Sequence, residues 1–120
     1  TLLGQRDDIE RILNAVDVLV LPSKSEAFPN VVLEAMSSGV PCIATDVGDA
    51  ALMIGETGWI VPKSDPEALA LACLEAIRAR ADTPMWHARC LDARARVANH
   101  LTLEHMVDGY VAVWSAACLR

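Results

Sequence analysis

The chain is poor in aromatic and basic residues. Of its 120 residues only 4% are Phe, Trp or Tyr, and ten Lys and Arg stand against sixteen Asp and Glu, so the formal net charge is −6. A charge of that sign disfavours nucleic acid or an anionic membrane as the main partner. No apolar run approaches the roughly 20 residues that cross a bilayer, and no secretory signal is visible. These absences favour a cytoplasmic protein.

Cysteine pairs and metal-ligand spacings are also missing. Cys42, Cys73, Cys90 and Cys118 are widely separated and form no C-x-x-C pair. An even number is compatible with two disulfides, but Cys42 and Cys73 lie in apolar segments, where a free Cys acts as a small hydrophobe. We therefore expect buried, reduced thiols. The three histidines have no acidic or Cys partner at ligand spacing and no D-x-D motif occurs, so we expect no metal and no cofactor.

What the chain has in abundance is apolar residues, at 53%, which is ample for a packed core. Short apolar segments indicate parallel strands at residues 18–21, 42–45 and 59–61, the first of them buried on both faces. Helical patterns with Asp65 and Thr102 as caps are found at residues 7–15, 29–38, 66–80, 83 onward and 103 onward. Strands alternate with helices first and helices follow alone, which predicts a three-layer α/β domain with a helical tail.

The most informative segment runs from Ser23 to Met36 and carries two glutamates eight positions apart. Glu26 follows the first predicted strand, so we expect it in a loop at the carboxyl end of that strand, where open α/β sheets bind ligands. Pro29 suits the first turn of a helix. Glu34 is then expected about one and a half turns into that helix.

This segment resembles the EX7E motif of retaining glycosyltransferases with the GT-B fold, in glycosyltransferase group 1 (family 4). The similarity covers most of the chain in the expected order, with matching segments at residues 3–4, 8–9, 15–23, 34–48, 57–62 and 65–70. The resemblance implies the C-terminal half of a GT-B fold. That half is a three-layer Rossmann-like parallel sheet with helices on both faces, followed here by a helical C-terminal tail.

The resemblance also implies roles for individual residues. Glu26 occupies the position that faces the donor sugar and the reaction centre, so it is the catalytic candidate. Glu34 is expected to accept hydrogen bonds from the ribose hydroxyls of a nucleotide donor. The backbone N–H groups of Phe28, Asn30 and Val31 are expected to bind the donor pyrophosphate.

Three positions depart from the family's usual pattern. Ala27 stands where the family more often has Gly, and Asp49 and Leu52 follow Gly48 where a second Gly and a Glu are common. We therefore expect only a weak donor contact, from the backbone of Gly48. That glycine is itself expected at a positive φ or at a point of close approach.

Simpler interpretations of these residues remain open. Glu26 is also compatible with a solvated loop glutamate or an ion pair with Lys24, and Glu34 with an ordinary exposed helix residue. The Arg-rich stretch at residues 78–96 is most simply a solvated helix face.

The function that the resemblance implies is retaining transfer of a sugar from a UDP- or GDP-linked donor to a carbohydrate or lipid-linked acceptor, in cell-surface polysaccharide biosynthesis. The alternatives are a GT-B epimerase or phosphorylase, and a non-catalytic nucleotide-binding or assembly module. We expect residues 1–120 to be a single domain and part of the donor-binding C-terminal domain. The acceptor domain and the family's basic Arg/Lys pair are absent from it, so the fragment alone should be inactive. The complete enzyme is expected in the cytoplasm or peripheral to the inner face of the membrane.

The last predicted helix carries an apolar stripe. In the family this helix packs toward the first domain, so we expect the stripe to lack cover here and to promote self-association. Its residues are Val107, Tyr110, Val111, Trp114 and Cys118.

Overall fold

The computed structural model describes residues 1–118 and is built on a parallel sheet of three strands. The strands are β1 (Leu19–Leu21), β2 (Cys42–Thr45) and β3 (Trp59–Val61), and they lie in the order β1-β2-β3. The strands predicted at 42–45 and 59–61 are confirmed with these bounds. Parallel strands need crossover connections, and the segments between them are helical.

Residues 1–118 form six α-helices. They are α1 (Ile9–Leu13), α2 (Asn30–Ser37), α3 (Ala50–Ile54), α4 (Pro66–Ala81), α5 (Thr83–His100) and α6 (Leu103–Cys118). The predicted caps are confirmed: Asp65 Oδ1 accepts from the Ala68 amide at 2.9 Å, and Thr102 Oγ1 accepts from the His105 amide at 3.3 Å. Helix α3 and the 3₁₀ turn that follows it at residues 55–57 were not predicted.

The core lies on both faces of β2, whose four residues are all buried. Cys42 and Ala44 pack with α2, α3 and α5, whereas Ile43 packs on the opposite face with α4. Successive side chains of a strand point to opposite faces, so one apolar strand supplies both cores. The predicted three-layer arrangement is therefore confirmed.

Strand β1 differs from the prediction that it is buried on both faces. It pairs only with β2 in the described part of the chain, and Val20 is 38% exposed. Val20 lies beside Ile43 in the sheet, so it belongs to the face that α4 covers. Because α4 packs over β2 and β3, this face of β1 is left open.

The expectation that the arginines of residues 78–96 form only a solvated face is wrong for two of them. Arg96 on α5 donates from Nε to the Met53 carbonyl at 2.8 Å and from Nη2 to the Leu52 carbonyl at 2.7 Å. The guanidinium of Arg89 lies 4.5 Å from the centre of the Trp59 ring, a cation–π distance. These side chains attach α5 to α3 and to β3.

All four cysteines are free thiols, as predicted, but they are not all buried. Cys42 lies in the core, where burial raises the pKa of its thiol to about 12. Cys73 and Cys90 are half-buried and Cys118 is exposed, because α6 has no packed face.

Within residues 1–118, no helix combines the length and the apolar character that crossing a membrane requires.

Candidate functional site

Glu26 lies in the loop between β1 and α2, as predicted, and it is half-buried. Ser23 Oγ donates a hydrogen bond to Glu26 Oε1 at 2.7 Å. The ion pairs found within the described residues join Arg6 to Asp8 and Arg80 to Asp17, so the pairing of Glu26 with Lys24 is not seen. The carboxylate is thus held by one neighbouring hydroxyl.

A second loop, which follows β2, packs against the backbone of this glutamate. Gly48 has φ +53°, and a Cβ built on it would lie 2.5 Å from the Glu26 carbonyl oxygen. The amide of Asp49 donates to the Ala27 carbonyl at 2.9 Å. The predicted positive φ and close approach at Gly48 are therefore confirmed, and the approach is to the backbone of the glutamate loop.

The amino terminus of α2 offers unused hydrogen-bond donors. Pro29 is the N-cap, so the helix proper begins at Asn30, one residue later than predicted. The amides of Phe28, Asn30 and Val31 donate to no acceptor within residues 1–118, whereas the Val32 amide bonds to the Pro29 carbonyl at 2.9 Å. Free amides at a helix amino terminus, together with the helix dipole, favour an anion.

Glu34 is exposed and lies about one turn into α2 rather than one and a half, because the helix starts at Asn30. It lines a cavity of about 540 Å³ between α2 and α1 with the segment that leads into α1. Ser37 and Ser38 line the same cavity, but Asn30 and Glu26 do not. The structure thus places Glu26 in the loop before α2 and Glu34 on the helix, and of the two only Glu34 lines this cavity.

The cavity beside Glu34 is rich in acidic groups. Asp7 and Glu10 line it together with Glu34, and Arg6 is its cation. Arg6 is engaged in a two-bond ion pair with Asp8, with Nε–Oδ1 2.8 Å and Nη2–Oδ2 2.7 Å, and this pair lowers the pKa of Asp8 below its ordinary value. A wall of acceptors with a neutralised cation suits ligand hydroxyl groups better than phosphate.

Comparison with protein families gives one clear match. The family model described as Glycosyl transferases group 1 matches residues 1–79, about two thirds of the chain. This chain belongs to the glycosyl transferases group 1 family.

A curated relative supports that assignment. It is the UDP-Gal:alpha-D-GlcNAc-diphosphoundecaprenol alpha-1,3-galactosyltransferase of Escherichia coli, 33% identical over 109 residues. The alignment takes in 89% of this chain but 27% of the relative. The chain thus spans about a quarter of the length of that glycosyltransferase.

Two solved structures share the fold. Sucrose-phosphate synthase from Thermosynechococcus elongatus is similar at a TM-score of 0.78 and 33% identity, over 97% of this chain and 30% of that one. HepE from Anabaena, solved in complex with UDP, has a TM-score of 0.78 at 23% identity, over 95% of this chain and 31% of that one. The second similarity, at this low identity, shows the fold alone.

Three residues hold Glu26 or its loop in place, and the sequence analysis of this glycosyl transferases group 1 member did not identify them as site residues. Ser23 bonds to the carboxylate, Thr45 Oγ1 donates to the Ser23 carbonyl at 2.6 Å, and Asp49 holds the Ala27 carbonyl. A signal was available for Thr45, because a polar residue at the carboxyl end of a fully apolar strand needs a partner when it is buried.

In the part of the chain that the structure describes, no group of three or more His, Cys, Asp or Glu side chains is placed to hold a metal ion.

Proposed function

We propose that this chain forms part of the nucleotide-sugar donor site of a retaining glycosyltransferase. One observation carries the proposal, and it concerns α2. The helix presents free amides at its amino terminus, Glu26 stands in the loop just before it, and Glu34 follows one turn into it beside a cavity lined with acceptors. A nucleoside diphosphate sugar carries its groups in the order that matches these three features: sugar, diphosphate and ribose.

Each part of the donor then has a chemically suited partner. The pyrophosphate binds the amides of Phe28, Asn30 and Val31, where the helix dipole favours negative charge without a metal or cofactor. The carboxylate of Glu34 accepts from the two ribose hydroxyls, and Glu26 faces the sugar. Gly48 keeps its contact with the Glu26 backbone and adds at most a weak backbone contact to the donor.

A relative's name supports a proposal for the donor and acceptor classes. The E. coli relative is named for a UDP-linked galactose donor and a diphosphoundecaprenol-linked acceptor. We propose a UDP- or GDP-linked sugar as donor and a carbohydrate or lipid-linked molecule as acceptor, as in cell-surface polysaccharide biosynthesis. A lipid-linked acceptor would place the enzyme at the inner face of the membrane.

The 120 residues are proposed to be part of the C-terminal, donor-binding domain. The chain spans 27% of the E. coli relative and 30% of the sucrose-phosphate synthase chain. We therefore assign the acceptor domain and the basic Arg/Lys pair to other parts of a longer protein, and we expect residues 1–120 alone to be inactive.

The test is a comparison of Glu26→Ala and Glu34→Ala in the full-length enzyme, with UDP-galactose, UDP-glucose and GDP-mannose as donors. Glu26→Ala should mainly lower kcat, since its contact strengthens as charge develops in the transition state. Glu34→Ala should mainly raise the donor KM, by about ten- to a hundredfold, because a hydrogen bond to a charged group contributes about 1.5–3 kcal/mol.

Glu75→Ala, at an exposed position on α4, is the matched control and should change neither constant. Thermal melting should show that all three variants fold, because Glu34 is exposed and Glu26 is only half-buried. Near-normal turnover of Glu26→Ala would rule out its assignment, and activity lost only in proportion to stability would rule out both.

A further inference from the structure

The carboxylate of Glu26 is the last member of a series of hydrogen bonds that starts at the buried carboxyl end of the central strand β2. Thr45, the last residue of β2, is 5% exposed, and its hydroxyl donates to the Ser23 carbonyl at 2.6 Å. Ser23 Oγ in turn donates to Glu26 Oε1 at 2.7 Å. Ser23 therefore touches both the rigid strand and the loop glutamate.

This arrangement addresses a specific difficulty of a loop glutamate. Glu has three side-chain torsions, so without a partner it populates several rotamers. A hydrogen bond to one oxygen restricts the carboxylate and leaves Oε2 free to meet a ligand. The backbone beneath it is already fixed, because Gly48 and Asp49 pack against the Glu26 and Ala27 carbonyls.

We propose that Ser23 is a positioning residue for Glu26, and that Thr45 holds Ser23 in place. The inference rests on the proposed function of Glu26 and deepens it. Ser23 does not contact the reacting sugar; it orients Oε2 toward the sugar and keeps Oε1 occupied. The carboxylate of Glu26 is thereby held in a fixed position relative to the buried strand β2, whereas a side chain on an unsupported loop is less precisely placed.

The first experiment measures the orientation of Glu26 itself in the 120-residue chain. Side-chain scalar couplings by NMR should show one dominant χ1 rotamer for Glu26 in the wild type. Ser23→Ala should give rotamer-averaged couplings, and Ser23→Thr, which keeps the hydroxyl, should restore the single rotamer. Ser25→Ala is the matched control, because Ser25 is an exposed serine of the same loop.

The second experiment measures turnover in the full-length enzyme, with UDP release from UDP-galactose or UDP-glucose as the assay. Ser23→Ala should lower kcat by roughly ten- to a hundredfold with the donor KM within about twofold, as misplacement of a catalytic group does. In a Glu26→Gln background, adding Ser23→Ala should change kcat by less than about twofold, because residues that act through one group are not additive.

The outcomes separate this inference from the proposed function. Full activity of Glu26→Gln would overturn the role of Glu26, whatever Ser23 does. A second outcome would overturn the positioning role alone. In it, Glu26→Gln lowers kcat, whereas Ser23→Ala keeps the wild-type kcat and the wild-type couplings of Glu26. An equal loss of activity from Ser23→Ala in both backgrounds would reduce Ser23 to a general stabiliser of the loop.

Discussion

Gly48 has a backbone conformation that few other residues adopt, and it packs against the loop that carries Glu26. It combines φ +53° with a backbone carbonyl oxygen of Glu26 lying 2.5 Å from where a Cβ would be placed. Gly48→Ala should therefore lower the free energy of unfolding by about 1–3 kcal/mol, since an L-residue at positive φ is strained and the carbonyl cannot move away freely. Urea denaturation of the 120-residue chain measures this.

Gly4 provides the matched control for that substitution. It also has a positive φ, +68°, but nothing lies within 4 Å of a Cβ built on it. Gly4→Ala tests the backbone strain alone, and its effect should be smaller than that of Gly48→Ala. If the two variants lose the same stability, the contact between Gly48 and the glutamate loop contributes nothing.

Cys42 should make the free energy of unfolding depend on pH in the alkaline range. Burial raises the pKa of this thiol from its ordinary 9.0 to about 12, so the folded chain keeps a proton that the unfolded chain loses. Stability should thus be unaffected by this group below pH 9 and should fall as the pH rises from about 9 to 12.

Alkylation by iodoacetamide at pH 9 should modify exposed Cys118 first and Cys42 only upon unfolding. Early modification of Cys42 in the folded chain would contradict its placement.

At the scale of elements, Arg96 connects α5 to the carboxyl end of α3. Its guanidinium donates to the Leu52 and Met53 carbonyls and covers Gly55, where a Cβ would lie 2.6 Å from Cζ. The last carbonyls of a helix have no partner within the helix, so a donor from another element stabilises them.

Arg96→Met keeps most of the aliphatic volume but removes both donors. We expect a loss of about 1–3 kcal/mol in the free energy of unfolding, because each of the two hydrogen bonds contributes about 0.5–1.5 kcal/mol. Arg94→Met, at an exposed arginine of the same helix, should change stability by less than about 0.5 kcal/mol. Chemical denaturation of both variants decides the question, and equal effects would show that Arg96 lies on a merely solvated face.

At the scale of the whole molecule, α6 is a long helix that leaves its apolar side chains exposed. None of its residues is buried, and Tyr110, Val111 and Trp114 are each more than half exposed. An apolar cavity of about 640 Å³ lies between the start of α6 and Phe28. An exposed apolar surface of this kind promotes association.

We therefore expect the 120-residue chain to self-associate through α6. Sedimentation velocity should show a concentration-dependent mass, which Val111→Lys should reduce toward the monomer because it places a charge in the apolar stripe. Ala116→Lys, on the opposite side of the same helix, should leave the association unchanged. A strict monomer at high concentration would contradict the expectation.

The local features of the fold were accessible from the sequence. The apolar segments 42–45 and 59–61 are strands with the predicted bounds, and Asp65 caps α4 as its spacing with Pro66 indicates. The position of Glu26 after a strand and before a helix followed from the same local signals. Each of these features depends on residues that are close in the sequence, so the sequence alone was sufficient to predict it.

The features that depend on distant residues were decided by the tertiary structure. Thr45 reaches Ser23 across 22 positions, and Arg96 reaches Met53 across 43, so no local pattern announces either contact. The exposure of Val20 depends on which strands α4 covers. The sequence by itself determined most of the elements, though not α3, and the order of the two glutamates. The tertiary structure decided how Glu26 is held and that Glu34 faces a separate cavity, because hydrogen bonds and packing between elements exist only once the sheet has formed.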